Sequence, residues 1–189
     1  IWVEDRMEHL TASSSATGRL TKIKASVDGQ GTIHALDYDQ IDDVGAYPRA
    51  PEPASLYRMH GNLSGAYKVK NIRCRNRVIL TNKTPSGLNR GFGGPQHYFA
   101  LERLVHQIAV ELKLNVLDVI KINLLEKNQF PYKSPSGALL DSGNFQKLVK
   151  KVIESSTYKK ILKNKNNSIK NGKIYGIGYS AIIEPSISN

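Results

Sequence analysis

Between Arg90 and Gln96 the chain reads Arg-Gly-Phe-Gly-Gly-Pro-Gln, and this run limits the fold more sharply than any other stretch. Three glycines lie within four residues, at Gly91, Gly93 and Gly94, and Pro95 follows at once. Glycine lacks a Cβ, so such a run takes positive φ or comes close to a ligand without steric cost. Proline suits the first turn of a helix, where the leading N–H groups have no intrahelical partner. The spacing therefore predicts a loop feeding a helix N-terminus, a place where free N–H groups and the helix dipole favour an anion or cofactor. A glycine-rich turn that serves tight packing alone fits the same residues.

The segments around the loop predict a mixed α+β chain. Thr21, Ile23, Ala25 and Val27 alternate with polar residues, Asp28 to Gly31 forms a hairpin turn, and Thr32 to Asp39 alternates again. Ile41 to Tyr47 reads as extended, with Gly45 at a bulge or close approach, and Tyr67 to Leu80 as a long strand region. Glu52 to His60 reads as a short helix. After Pro95 the period turns helical: Leu101, Leu104, Val105, Ile108, Ala109 and Leu112 share one face. Asn115 starts a second helix, and Asp141 to Asn144 caps a third whose buried side carries Phe145, Leu148, Val149, Val152 and Ile153. Trp2 to Arg6 reads as extended, His9 to Gly18 as a polar loop, Asn164 to Gly172 as a linker, and Ile174 to Ile183 as a strand without a partner.

Chemical groups outside the loop are sparse. Walker and Rossmann glycine patterns, a nucleophile elbow, a zinc Cys/His set and paired catalytic carboxylates do not occur. Asp37, Asp39, Asp42 and Asp43 lack calcium-loop spacing and read as a solvated strand edge. Glu102 and His106 read as an exposed pair on a helix, not as metal ligands. Cys74, the single cysteine, reads as a small buried strand residue, with a catalytic thiol as the other reading; it fits a reducing, cytoplasmic compartment. No apolar run has the length of a membrane helix. The formal charge of +11 raises a basic, non-catalytic binding module, with nucleic acid as partner, as the alternative function. Nine lysines lie between Lys147 and Lys173 with Glu154 the only acid among them, but aromatics for base stacking are few there.

Several stretches, taken in order, resemble the large molybdenum-cofactor-binding subunit of the xanthine dehydrogenase, aldehyde oxidase and carbon monoxide dehydrogenase family. They are Trp2 to Leu10, Tyr67 to Ile72, Thr81 to Gly87 with Arg90 to Gln96, Ala100 to Leu104, Ile122 to Leu125, Asp141 to Gly143, and Tyr175 to Tyr179. The resemblance implies a middle portion of such a subunit: residues 1–130 in the first cofactor-binding domain, and residues 131–189 as a connection, a helix and the first strand of a second. It implies a cofactor of molybdopterin or molybdopterin cytosine dinucleotide, with Arg90, Gly91, Phe92 and Gly93 on the cofactor side. Phe92 would also pack against substrate, and Arg58 would position it; as plain structure, Phe92 is core and Arg58 caps a short helix.

The implied reaction is hydroxylation of an aldehyde or heterocycle carbon with water as oxygen source, electrons leaving through iron–sulfur and flavin partners. The family's catalytic glutamate is expected beyond Asn189, so no catalytic residue and no metal ligand is assigned within the chain, and the isolated chain is expected to be inactive. Carbon monoxide dehydrogenases of the family carry a copper-binding cysteine where this chain has Gly91.

Overall fold

The computed structural model describes residues 1–16, 18–50 and 59–184. The predicted helix at Glu52 to His60, and Arg58 with it, falls mostly outside the described residues.

Two long strands form the expected hairpin. Strand β1 (Gly18–Val27) pairs antiparallel with β2 (Ile33–Asp43), with Lys24 opposite Asp37. The turn is held by Asp28, whose Oδ1 accepts the N–H groups of Gln30 and Thr32, both at 2.9 Å. Strand β3 (Asn71–Ile79) then joins β2 in parallel, giving the order β1-β2-β3. The class is α+β as expected, but the third strand arrives by a crossover and not as a further turn of a meander. This makes β2 the central strand. Asp37 and Asp39 therefore face arginines of β3, with Arg73 and Arg75 each 2.6 Å from them: they are solvated as expected but on a central strand and not an edge, whereas Asp42 is buried.

Helix α1 (Arg6–Ala12) replaces the predicted loop. Asp5 and Glu8 form a reciprocal capping box: Asp5 accepts the Met7 and Glu8 N–H groups, and Glu8 accepts that of Asp5 at 2.9 Å. The Asp-x-x-Glu spacing was the available signal, and it satisfies orphan donors that a loop would leave to water. Helix α2 (Gly94–Glu111) has Pro95 in its first turn and buries Tyr98, Leu101, Val105, Ile108 and Ala109. Helix α3 (Val116–Asn123) starts at Asn115, which accepts the Leu117 N–H. At its other end the Asn123 side chain accepts the Ile33 N–H and donates to Gly31 O, both at 2.8 Å, locking the hairpin turn to the helix. Residues Ile33, Leu36 and Tyr38 of β2 meet these two helices in one core.

A small hairpin, β4 (Tyr132–Lys133) with β5 (Leu139–Leu140), packs on the 3₁₀ turn His60–Asn62. Ser134 and Ser136 hydroxyls both donate to Gly61 O at 2.8 Å. Helix α4 (Phe145–Glu154) is capped by Asn144 as predicted, but Leu148 and Val152 are exposed and only Phe145, Val149 and Ile153 are half-buried. Helix α5 (Ser156–Lys170) occupies most of the predicted linker. Its polar composition was misleading: Ser155 caps it, no glycine or proline interrupts it, and it ends only before Gly172 at φ +69°.

Candidate cofactor-facing site

The loop forms as its composition requires. Gly91 and Gly93 take φ of +74° and +79°, and Gly93 caps α2. Gly94 N–H closes a turn onto Gly91 O at 2.9 Å. The Gly91 and Gly93 N–H groups have no acceptor among the described residues. A Cβ on Gly91 would meet nothing nearer than Pro95 Cδ at 3.9 Å, so that backbone is open to a ligand. Arg90 is exposed and Phe92 half-buried.

The chain leading into the loop is pinned from below. Asp43, at the end of β2, accepts from Thr81 Oγ1 and Lys83 Nζ at 2.6 Å and from Gly45 N at 3.0 Å. Lys83 first, then Thr81 and the Gly45 amide, hold its carboxyl down to about 2. Gly45 makes the close approach foreseen for it: φ is +77°, and a Cβ would lie 2.5 Å from Thr84 O. The segment after α1 adds a second support, since Gly87 N donates to Ser15 O at 2.9 Å.

The first turn of α2 sits on the polar half of the sheet. The Arg19 Nε and Nη2 atoms donate to Asp42 at 2.6 and 2.9 Å, and both side chains are buried. Asn76 Nδ2 donates to the same carboxylate at 2.7 Å. Above them lies His97, fully buried between Tyr38 and Tyr98, with ring centroids 5.7 and 5.1 Å away. Burial, then the charges of Arg19 and His60, push the His97 imidazole down to about 4. Sequence reasoning gave His97 no role; its place in the first turn, three residues after Gly94, was the only signal.

Glu102 and His106 are not an exposed pair. Glu102 is buried, its carboxylate accepting from the Tyr67 hydroxyl and from Ala181 N at 2.8 Å. His106 Nε2 lies 2.6 Å from Tyr179 O. The residues expected as a strand, 174–183, form no ladder; they run extended along α2, with Tyr98 donating to Ile183 O. That path carries Glu184 to the glycine loop, where Oε2 lies 3.6 Å from the position of a Cβ on Gly94. Cys74 is exposed and not buried as expected. Desolvation of the sulfur pushes its thiol up even so, opposite to the shift that makes a reactive thiolate. Among the described residues no group of three or more His, Cys, Asp or Glu is placed to hold a metal, and no helix is long and apolar enough to cross a membrane.

Residues 1–124 match the family described as molybdopterin cofactor-binding domain. The chain belongs to that family. The resemblance extends past the matched residues. The nicotine 6-hydroxylase large subunit of Paenarthrobacter nicotinovorans is 27% identical over 98% of this chain and 23% of its own length. The carbon monoxide dehydrogenase large chain of Afipia carboxidovorans is 30% identical over 97% and 24%. In three dimensions the chain superposes on carbon monoxide dehydrogenase from Oligotropha carboxidovorans with a TM-score of 0.77 at 27% identity, covering 91% of this chain and 22% of that one. Quinoline 2-oxidoreductase from Pseudomonas putida 86 gives 0.79 at 25%, covering 90% and 22%. The chain spans about a quarter of the length of the curated relatives it matches. The nucleic-acid alternative gains no support. The lysines of α4 and α5 lie on solvated helices, and Tyr158 is engaged with the Tyr179 hydroxyl at 3.1 Å.

Proposed function

We propose that this chain forms the cofactor-facing wall of a molybdenum hydroxylase large subunit, which oxidises an aldehyde or aromatic heterocycle carbon with oxygen taken from water. One observation supports this reading most directly: the Gly91 and Gly93 backbone N–H groups have no acceptor among the described residues, on a loop whose positive φ values disfavour ordinary side chains. Such a cradle fits an anionic, oxygen-rich pterin cofactor. Gly91, Gly93 and the Arg90 and Phe92 backbone would hold that group, which when bound supplies the two-electron redox chemistry. Its form is molybdopterin or the cytosine dinucleotide.

This chain's own part is binding and orientation. The Phe92 ring would pack on a flat substrate, and Arg58 would orient it through hydrogen bonds. Gly91 brings no thiolate to the site, which favours hydroxylation over carbon monoxide chemistry. Residues 1–130 would complete one cofactor-binding domain, with residues 131–189 leading into the next. Iron–sulfur and flavin partners would take the electrons, and the single cysteine, Cys74, supports a reducing cytoplasmic setting.

The test is metal and pterin analysis of the full protein that carries this sequence. Stoichiometric molybdenum and pterin are expected, with Gly93→Ala losing most of both while the fold is retained. Full cofactor content in Gly93→Ala, or a wild-type protein that binds neither, would overturn the reading.

A further inference from the structure

The inner face of the sheet is divided. Ile23, Ala25, Leu36 and Tyr38 make an apolar half that meets the middle of α2. Beyond Tyr38 the same face turns polar, with Arg19 on β1, Gln40 and Asp42 on β2, and Asn76 on β3. Gln40 and Asp42 are fully buried. His60 and His97 stand beside this half, where the Arg19 charge acts on both rings, and His97 lies in the first turn of α2, just after the glycine loop.

Pairing within this region is incomplete. Among the described residues, both ring nitrogens of His97 are buried without a hydrogen-bond partner, as are Gln40 Nε2, His60 Nε2, Asn62 Oδ1 and Asn76 Oδ1. Buried polar atoms in native proteins are almost all satisfied, because an unpaired one loses its hydration with no return. Ser64 Oγ and Ser86 Oγ are unpaired as well, but the His97, His60, Gln40 and Asn76 atoms belong to residues that stand around one buried ion pair.

We propose that the polar half of this core is a binding site for water, a small group of ordered molecules that bridge His97, Gln40 and His60 and so anchor the first turn of α2. The donor and acceptor balance suits water. Gln40 offers a donor, Asn62 and Asn76 offer acceptors, and a neutral imidazole offers one of each. A buried water makes about three hydrogen bonds, so roughly two or three molecules satisfy the set. An anion fits poorly, because the Arg19 guanidinium is already held in two contacts by Asp42. The lowered basicity of His97 agrees, since its ring stays neutral near pH 7. The consequence for the glycine loop is mechanical: the turn that fixes Gly93 and Gly94 rests on a hydrated floor.

The experiment is an atomic-resolution crystal structure of the full protein that carries this sequence, as purified, together with its His97→Phe variant. Ordered water within hydrogen-bond distance of a His97 nitrogen and of Gln40 Nε2 is expected. A dry region, or a protein or cofactor atom on both His97 nitrogens, overturns the proposal. In His97→Phe, which keeps a ring between Tyr38 and Tyr98, those waters should be lost and amide exchange over residues 94–97 should rise about tenfold. Unchanged exchange overturns the anchoring role. If the variant does not fold, the wild-type structure still decides whether the water is there. Neither outcome depends on molybdenum content, so this proposal and the redox reading fail separately.

Discussion

Glu102 accepts the backbone N–H of Ala181 at 2.8 Å while it also accepts the Tyr67 hydroxyl. One buried carboxylate thus joins α2, the residues before β3 and the C-terminal segment. The contact places residues 179–184 along α2 and brings Glu184 to the glycine loop.

Replacing Glu102 by alanine should leave the buried Tyr67 hydroxyl and the half-buried Ala181 N–H unpaired and destabilise the fold by about 2–4 kcal/mol in urea denaturation. Glu102→Gln separates charge from geometry. Burial is the largest influence on Glu102 and raises its pKa above the ordinary 4.5, so the folded state binds the proton more tightly. Its contribution is full below pH 4.5 and is lost as pH rises through the raised folded value. That falling slope should be absent in Glu102→Gln.

His97 has the opposite sign. Its folded value of about 4 lies below the ordinary 6.5, so the unfolded chain binds the proton more tightly. The contribution is present above pH 6.5 and is lost as pH falls towards 4, by about 3 kcal/mol. Urea denaturation between pH 7 and pH 4 should show this loss, and His97→Phe should flatten it. Glu102 titrates in part of the same window, so each variant is compared with wild type at every pH.

The Arg19–Asp42 pair is buried on both sides. Asp42→Ala should cost about 3–5 kcal/mol, because it leaves a guanidinium without its counter-charge. Arg19→Met with Asp42→Leu should recover most of that loss. A double-mutant cycle measures the difference, and a double variant as unstable as the single would refute the account.

Gly45→Ala should be severe for one methyl group. A positive φ and a Cβ 2.5 Å from Thr84 O combine strain and overlap, on the order of 2–5 kcal/mol. The loop from Lys83 to Gly87 should exchange amide hydrogens faster in the same variant, since Gly45 is the surface against which it packs.

Local patterns were readable wherever a local rule decided the outcome. The hairpin around Asp28, the caps at Asn115 and Asn144 and the glycine loop before Pro95 each depend on neighbours within a few residues. Helix α1 was equally local, and its Asp5–Glu8 capping box was overlooked. The errors at Glu102, Cys74 and the β2 aspartates have another origin. Exposure and ion pairing there are set by residues more than 30 positions away, such as Tyr67 for Glu102 and Arg73 for Asp37.

The sequence by itself determined that a glycine turn would open a helix, because φ freedom and a missing proline N–H are properties of those residues alone. Tertiary structure decided what stands around that turn. A parallel β3 made β2 central, a polar half-core formed beneath His97, and the last extended segment was drawn along α2 by Glu102. Those outcomes depend on which distant groups share a buried volume, and hydrogen-bond satisfaction inside that volume is a property of the assembled chain.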